Sequence, residues 1–410
     1  NICVTLQKKL KNTGKVMLMK IKTASYRNCP LCDNSKVSVL GSLKYLFFDD
    51  CPLSDRYDVV SCTNCGFPYY DTSSSEKSFL SYYSKNAYYL ANIPGSGGLN
   101  DVDKSRYKKI LDTLTRHTSC LNGLVLDAGS AKGGLLVLLK EHGYNNLLAI
   151  DLLPKSVAGI RKLGINAEIG DLCNIPTGDG SAHAVILSHV LEHVPNLKTA
   201  LCEVKRVISH EGIVYVEVPC AEDYHLHDNE PLWDFLYEHI NHFSQIHLNN
   251  LFENFGFSCV EHGTKRFKGT YGKGNCLYAL FRKSDMEYRH TYCNVVSESI
   301  SKCFALFSKS KFNTLEKIAS ERTPCYVWGL SSYMHLLLAM SPLKDCNIVA
   351  FLDRDTYKQQ KKISGLPVKS PEALLDVTPD DVVVIPAGPY IKGMKEYFQN
   401  ISCKGKLLIA

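Results

Sequence analysis

The chain has 410 residues, more than one ordinary hydrophobic core accommodates, so we expect two or three domains. Hydrophobic residues make up 45% of the chain and charged residues 21%, which excludes an intrinsically disordered protein. Lysine and arginine exceed aspartate and glutamate by 47 − 41 = 6, and this excess is scattered along the chain, so we predict no nucleic-acid partner.

The first residues contain no pattern typical of secretion, because lysines interrupt the apolar residues there. No uninterrupted apolar run reaches membrane-spanning length, so we predict no membrane partner. The 17 cysteines stand mostly as single residues in apolar runs, where a reduced thiol behaves as a small hydrophobic side chain. Together these features predict a cytoplasmic protein.

Four cysteines near the start form two C-x-x-C pairs, "CPLC" (Cys29 and Cys32) and "CTNC" (Cys62 and Cys65). Two such pairs offer four thiolates to one tetrahedral zinc ion, and Gly66 suits the tight backbone after the second pair. A redox pair or a chance pairing is the alternative. Because a closed four-thiolate site has no open position for substrate, we predict a structural zinc module over residues 24–85.

The stretch "GLVLDAGSAKGG" has the pattern of a strand, a tight turn and the start of a helix. The apolar residues 124–126 lead into Asp127, and the turn carries Gly129, Ser130 and Gly133. Glycines in such a turn allow the backbone to approach a ligand closely. We therefore predict the first strand and the ligand-binding turn of a nucleotide-binding sheet.

Further strands follow, each ending in a polar residue. The strand "NLLAID" ends at Asp151, next to Leu152, where an acid can accept the hydroxyls of a ribose. "AEIGDL" brings Asp171 and Leu172 to where an adenine is expected, and "AVILSH" ends at His189. With "GIVYVEVP" as a fifth strand and helices between them, we predict a parallel, doubly wound sheet. Each acid has the alternative role of a cap or turn residue.

The turn does not fit a dinucleotide-binding dehydrogenase, because the G-x-G-x-x-G spacing is broken at Ala131. The motifs instead resemble those of the class I S-adenosylmethionine-dependent methyltransferases over residues 105–285, with Ala131 standing where that family usually has glycine. The resemblance implies a Rossmann-like core and S-adenosyl-L-methionine as cofactor. The cofactor-binding residues that it implies are Asp127, Gly129, Ser130, Gly133, Asp151, Leu152, Asp171, Leu172 and His189.

Histidines and a glutamate cluster in "LYEHINHFS", after the fifth strand. A zinc protease needs H-E-x-x-H on a helix, whereas the order here is Glu238, His239 and then His242, so that class is excluded. A metal held by His225, His227 and His239 is an alternative that the sequence leaves open.

The order of the whole chain resembles the sugar C-methyltransferases, which methylate a carbon beside the ketone of a nucleotide-linked deoxysugar. Their motif is Tyr-His-Glu-His followed by Tyr-Phe-Ser; Glu238 and His239 match it, whereas Leu236, Tyr237 and His242 depart from it. The resemblance implies that His239 is the catalytic base and that Glu238 orients it. Histidine suits this role because its pKa lies near neutrality.

A tyrosine-rich segment, "YYSKNAYYLAN", joins the predicted zinc module to the core. Tyr88 and Tyr89 stand where the sugar C-methyltransferases present an active-site tyrosine, so the resemblance implies a catalytic role for Tyr89. Aromatic packing between domains is the alternative for this pair.

Residues 286–320 are predicted to form a helical connector and residues 321–410 a second, smaller α/β domain. Its pattern is "CYVWGLSSYM" for strand, turn and helix, "NIVAFLDRD" for the next strand, and "DVVVIPAG" later. It resembles the C-terminal Rossmann-like domain of the sugar C-methyltransferases, but Tyr333 to Leu336 replace that family's lysine segment. We predict a docking platform for the substrate.

Three functions are compatible with these patterns. The first is methylation of a carbon next to the ketone of a nucleotide-linked deoxysugar, with His239 as base. The second is O- or N-methylation of a small molecule or a surface-sugar precursor, which needs positioning more than a base. The third is a non-catalytic binding module that keeps the cofactor fold. We favour the first, with a small-molecule substrate and structural Zn²⁺.

Overall fold

The architecture comes from a computed structural model, which describes residues 21–22, 25–85, 97–118, 121–227, 230–266, 275–286, 288, 290–388 and 390–410. The described strands form three sheets, of four, seven and six strands, which follow one another along the chain. The predicted α/β class, with a second α/β unit after the core, is confirmed. Within the described residues, no helix combines the length and the apolar character needed to cross a membrane.

The first sheet is small and antiparallel throughout, with its strands in chain order. Its strands, and the helix that follows them, are β1 (Ile21–Lys22), β2 (Val37–Lys44), β3 (Arg56–Cys62), β4 (Pro68–Asp71) and α1 (Glu76–Lys85). Side chains alternate between the two faces of a strand. On β3, Val60 and Cys62 pack into the core of the second sheet, whereas Tyr57 and Val59 pack towards the third. The small sheet is therefore buried on both faces.

The second sheet has the strand order β10-β11-β9-β8-β5-β6-β7. Strands β5 to β9 pair in parallel, and β10 and β11 form an antiparallel hairpin beside β9. Its helices and strands are α2 (Asp101–His117), β5 (Leu124–Ala128), α3 (Gly134–Glu141), β6 (Leu147–Asp151), α4 (Pro154–Lys162), β7 (Asn166–Ile169), β8 (Ala182–Ser188), α5 (Leu197–Val207), β9 (Ile208–Pro219), α6 (Gln245–Glu253), β10 (Phe257–Arg266) and β11 (Asn275–Lys283).

Helices cover both faces of this sheet, because alternate residues of its strands enter different cores. Leu126 and Val185 pack with α5 and α6, whereas Val125 and Ala184 pack with α2, α3 and α4. The five strands predicted from the sequence, β5 to β9, are all present, whereas the β10–β11 hairpin was not predicted. The carboxyl ends of β5 to β8 lie along one edge, which is where open α/β sheets bind their ligands.

The remaining chain begins with two helices, α7 (Val295–Phe307) and α8 (Asn313–Glu321), in the segment predicted as a helical connector. The third sheet follows, with the order β14-β15-β13-β12-β16-β17; only β14 is antiparallel to its neighbour. Its elements are β12 (Pro324–Trp328), α9 (Ser332–Met340), β13 (Asn347–Leu352), β14 (Lys362–Ile363), β15 (Leu366–Lys369), β16 (Val382–Ile385), α10 (Ile391–Asn400) and β17 (Lys406–Ile409).

Helix α9 connects this third unit to the rest of the molecule. The His335 ring donates a hydrogen bond of 2.6 Å from Nδ1 to the Leu46 carbonyl oxygen, just after β2. The rings of Tyr333 and Trp233 lie 5.3 Å apart, and a Cβ on Gly388 would clash with the Trp233 ring at 2.3 Å. These contacts bring the third sheet against the segment that follows β9, which contains the histidine-rich motif.

Candidate functional site

The four predicted zinc ligands come together in the small sheet. The sulfur atoms of Cys29 and Cys65 lie 3.5 Å apart, as do those of Cys32 and Cys62, and all four lie within 4.8 Å of one another. Four sulfur atoms at this spacing suit a tetrahedral ion with zinc–sulfur bonds of about 2.3 Å. The donor set therefore fits structural zinc.

Hydrogen-bond donors surround these sulfurs. The Asn34 side chain and the Asn64 backbone N–H each donate to Cys62 Sγ at 3.4 Å, and the Phe67 N–H donates to Cys65 Sγ at 3.5 Å. Such donors stabilise thiolates, which are the metal-binding form.

The close packing of the thiols also shifts the pKa values of Cys29 and Cys32 in opposite directions. The hydrogen bond from Cys29 lowers the pKa of Cys32 to about 6, whereas burial raises that of Cys29. Gly66 has φ +77, and a Cβ there would meet the Cys293 carbonyl oxygen at 1.9 Å, so the tight backbone expected at this glycine is present.

The turn after β5 has the shape of a ligand cradle. Gly129 and Gly133 have φ values of +74 and +73, and a Cβ on Gly129 would approach Val190 to 2.7 Å. A Cβ on Gly134 would lie 2.1 Å from the Gly98 carbonyl oxygen, so the loop before α2 sits directly on the first turn of α3. These glycines are required by close packing and by left-handed backbone, as the sequence indicated.

Ala131 has φ +49, in the left-handed region that favours glycine. Glycine, which the resembling family usually has at this position, adopts this conformation without strain, whereas alanine is strained in it. The Ala131 N–H donates to Asp151 Oδ2 at 2.8 Å, so this strained residue links the turn to the end of β6.

Asp151 and Asp171 both hold turns in the backbone. Asp151 accepts a second hydrogen bond, from the Leu153 N–H at 2.9 Å, and Asp171 accepts one from the Cys173 N–H at 2.7 Å. Leu172, beside Asp171, is buried. Both acids therefore have the turn role that was considered for them. Because each carboxylate oxygen has two lone pairs, these hydrogen bonds leave acceptor capacity for a ligand hydroxyl or amino group.

Asp127 and Ser130 lie beneath the same turn and are almost fully buried. The Ser130 hydroxyl donates to the Asp127 backbone oxygen, which ties the turn to the strand end. Burial raises the pKa of the Asp127 carboxyl to about 7.

His189 lies at the end of β8 with φ +56, and its ring bridges two buried glutamates. Nδ1 lies 3.1 Å from Glu192 Oε1, and Nε2 lies 3.2 Å from Glu217 Oε1. Burial opposes a charged ring, yet the electrostatic attraction of Cys276 and the hydrogen bonds to Cys276 and Glu192 outweigh it and raise the pKa of His189 well above its usual value. Glu217 also accepts a hydrogen bond of 2.9 Å from Lys265, so His189 belongs to a buried ionic network at the expected cofactor edge.

His239 lies in the segment after β9 and is packed on His193, with ring centroids 4.7 Å apart at 79°. Burial, reinforced by the charge of His193, holds the pKa of His239 well below its usual value and therefore below the near-neutral pKa expected from the sequence. The imidazole is neutral at physiological pH. A carboxylate oxygen of Glu192 and one ring nitrogen each of His193 and His239 lie within 4.8 Å of one another. Glu238, the predicted partner of His239, offers its backbone oxygen to His193 Nδ1 at 3.1 Å.

Glu192 and His193 received no chemical role from the sequence, although they follow β8 directly. Two tyrosines of α1 were also missed: the Tyr83 hydroxyl lies 3.0 Å from His193 Nδ1, and Tyr82 and Tyr237 share a hydrogen bond of 3.0 Å. Tyr89, the tyrosine that was singled out, lies outside the described residues. The only available signal for Tyr82 and Tyr83 was their place in the same tyrosine-rich segment.

The alternative metal site of three histidines does not form. His225 bonds to the Ser299 hydroxyl at 2.9 Å, and His227 bonds to Asp234 at 2.8 Å. In the described part of the chain, neither belongs to the ligand cluster that contains His239. His242, which replaces a tyrosine of the resembling motif, is fully buried among aromatic rings, and burial lowers its pKa to about 3.

Comparisons with known proteins agree with this geometry. A family profile described as "Methyltransferase domain" matches residues 103–262. The C-methyltransferase NovU of Streptomyces niveus is 24% identical over 320 residues, which are 72% of this chain and 74% of the relative.

Solved structures match a smaller share of the chain. An S-adenosylmethionine-dependent methyltransferase from Methanosarcina mazei is 17% identical, with 42% of this chain and 97% of that chain covered and a TM-score of 0.37. Geranyl diphosphate methyltransferase, solved with GPP and sinefungin, is 13% identical, with 44% and 78% covered and a TM-score of 0.37. The family profile and the curated relative lead to one conclusion: residues 103–262 of this chain form a methyltransferase domain.

Proposed function

We propose that the chain methylates a carbon next to the ketone of a nucleotide-linked deoxysugar, with His239 as the base. The observation that carries the proposal is the half-buried ring of His239, which packs on His193 at the end of β8 and is kept neutral there, with a lone pair available for a proton. A carbon next to a ketone becomes a nucleophile only after losing a proton, so this reaction needs such a base. The similarity to a C-methyltransferase over 72% of the chain supports the same chemistry.

The proposed cofactor site is the edge formed by the ends of β5 to β8. S-Adenosylmethionine supplies a methyl group on a positively charged sulfur, which an electron-rich carbon attacks. At Gly129 and Gly133 the backbone of the turn would lie close to the cofactor. Asp151 would accept hydrogen bonds from the ribose hydroxyls, and Asp171 would accept one from the adenine amino group. The remaining proposed contacts are Asp127, Ser130, Leu152, Leu172 and His189.

The proposed substrate side is built from three parts of the chain. Tyr82 and Tyr83 of α1, Tyr237 beside His239, and helix α9 of the third sheet meet around the histidine-bearing segment. We assign Glu238 to positioning this segment, because its backbone oxygen fixes His193. Tyr89 keeps its proposed catalytic role, and the third sheet is proposed as the docking platform for the substrate. The proposed domains are the zinc module (24–85), the methyltransferase core (105–285), the helical connector (286–320) and the C-terminal domain (321–410).

The four-cysteine module is proposed to bind one structural Zn²⁺. Its thiolates would be fully occupied by the ion, which leaves no position for substrate. The ion would instead fix the small sheet, whose two faces support the core and the third sheet.

Hydrogen–deuterium exchange at the sugar carbon tests the proposal without any methyl transfer. In D₂O, with a nucleotide-linked keto-deoxysugar and no cofactor, the protein should catalyse deuterium uptake next to the ketone, measured by mass spectrometry. His239→Ala should abolish uptake, whereas His183→Ala, at an exposed position, should not change it.

Two results would reject the base assignment: full exchange in His239→Ala, or no exchange in the unchanged protein although the substrate binds. The second result, combined with methyl transfer to an oxygen or nitrogen, would establish the alternative O- or N-methyltransferase.

A further inference from the structure

A cluster of three potential metal ligands lies beside the proposed active site. Glu192 and His193 belong to the short helical turn after β8, and His239 lies in the segment after β9. One ligand atom from each residue lies within 4.8 Å of the other two. We refer to these three residues as the Glu–His–His cluster.

The carboxylate of Glu192 is incompletely satisfied. The residue is 1% exposed, and its Oε1 lies 3.1 Å from His189 Nδ1. Its other oxygen, Oε2, is buried and has no hydrogen-bond partner among the residues that the structure describes. Burying a carboxylate oxygen without a partner is costly, and proteins normally satisfy such atoms with a donor or a cation.

His193 can present one ring nitrogen to a metal. Its Nδ1 lies 3.1 Å from the Glu238 backbone oxygen, which can only accept, and 3.0 Å from the Tyr83 hydroxyl, which can accept or donate. When Nδ1 donates to the Glu238 oxygen, Nε2 carries the lone pair that a metal needs. Proteins fix metal-binding imidazoles in this way, through a hydrogen bond from the opposite ring nitrogen to a carbonyl oxygen.

A second group of potential ligands, His189, Glu217 and Cys276, has similar spacing but different surroundings. Glu217 already faces the Lys265 ammonium at 2.9 Å and accepts from the Tyr215 hydroxyl at 2.8 Å. A cation is therefore already provided there by the chain itself, whereas no lysine or arginine is paired with Glu192 among the described ion pairs.

We propose that the Glu–His–His cluster binds one divalent transition-metal ion through a carboxylate oxygen of Glu192 and one ring nitrogen each of His193 and His239. Two imidazoles and one carboxylate suit borderline ions such as Zn²⁺ and Mn²⁺, and three protein ligands leave positions open for water or a substrate oxygen. The binding itself does not depend on the proposed function.

One consequence does rest on the proposed function. An ion at the cluster takes the lone pair with which His239 would accept a proton, so metal binding and proton removal exclude each other. The ion is therefore an inhibitor of proton removal from the substrate carbon.

Mn²⁺ is the suitable probe, because an oxygen-preferring ion competes poorly for the four thiolates of the zinc module. The full chain, loaded with one equivalent of zinc for the four-cysteine module and without cofactor or substrate, is titrated with Mn²⁺ while electron paramagnetic resonance measures the free ion. We expect one saturable site per chain. Glu192→Gln and His239→Gln should each weaken binding at least about tenfold. His210→Gln, at a surface position outside the cluster, is the control and should bind as the unchanged protein does.

Absence of saturable binding, or equal binding in His239→Gln, overturns the proposal. If Glu192→Gln fails to fold, His239→Gln decides alone. Replacing His239 keeps the contact between Glu192 and His189, so this variant should fold. Deuterium exchange of the substrate, measured separately at the same Mn²⁺ concentrations, separates the two proposals: Mn²⁺ should suppress exchange over the range in which it binds. Binding without suppression overturns the competition, whereas binding in a protein that never catalyses exchange keeps the metal site and rejects the base.

Discussion

Asp127 is deeply buried, and the pKa of its carboxyl group lies near neutrality. It is 4% exposed, and burial raises the pKa of its carboxyl to about 7, against about 4 in an unfolded chain. The folded state therefore holds a proton that the unfolded state releases. As pH rises from about 4 to about 7, this residue makes folding progressively less favourable, and above that range the loss is complete.

Asp127→Asn should remove this pH dependence, because the amide cannot ionise. The free energy of unfolding of the variant, relative to the unchanged protein, should rise between about pH 4 and about pH 8 by on the order of 4 kcal/mol. Urea denaturation at both pH values measures the difference, and Asp380→Asn, at an exposed position, should follow the unchanged protein. A constant difference at the two pH values would contradict the assignment.

The residues of the active-site segment were only partly predictable. His239 stood out because a glutamate precedes it in a recognisable motif, whereas no sequence pattern pairs it with Glu192 and His193. That pairing depends on the segment after β9 folding back over the end of β8, which is a tertiary contact distant in sequence. Neighbouring position in the sequence suggested Glu238 as the carboxylate beside His239, whereas packing places the Glu192 carboxylate there.

At the scale of elements, the first turn of α3 depends on a glycine that has no room for a side chain. Gly134→Ala would place a methyl group 2.1 Å from the Gly98 carbonyl oxygen, so the loop before α2 must move. We expect a loss of about 1–3 kcal/mol in the free energy of unfolding and weaker S-adenosylmethionine binding, measured by denaturation and calorimetry.

Gly159→Ala is the matched control, since Gly159 lies inside helix α4 and a Cβ there meets nothing within 4 Å. Replacing a helical glycine at an open position should stabilise the protein by about 0.5–1 kcal/mol and leave cofactor binding unchanged. Equal effects of the two substitutions would contradict the packing argument.

Strands β5, β6, β8 and β9 were predictable because each contains an apolar run next to glycine or a polar residue. Strand β7, of which only Ala167 is buried, was located by its place before Asp171. The β10–β11 hairpin was missed, since on β10 exposed and half-buried residues dominate and give little hydrophobic pattern. Strand β17 was missed for the same reason: it is a short edge strand without a fully buried side chain. Its pairing with β16 is visible only in three dimensions.

At the scale of the whole molecule, the small sheet links the other two. Alternate residues of β3 enter different hydrophobic cores, and helix α9 packs beside β2. Loss of the proposed zinc ion should therefore affect more than the first seventy residues, because both neighbouring units lose part of their packing surface.

Cys32→Ser tests this dependence with little change in packing, as Cys32 is only half-buried. The variant should lose its one equivalent of zinc, measured by elemental mass spectrometry, and unfold at a clearly lower temperature than the unchanged protein. Cys202→Ser, at an exposed cysteine outside the cluster, should retain both zinc and stability. Full zinc occupancy in Cys32→Ser would contradict the four-thiolate site.

The proposed function requires transfer of the methyl group to carbon. S-Adenosylmethionine with a ¹³C-labelled methyl group, incubated with the protein and a nucleotide-linked keto-deoxysugar, gives a product whose methyl carbon can be located by nuclear magnetic resonance. We predict a methyl group bonded to the carbon next to the ketone, and no such product with His239→Ala. A labelled methyl group on oxygen or nitrogen, formed equally well without His239, would contradict methylation of carbon with His239 as the base.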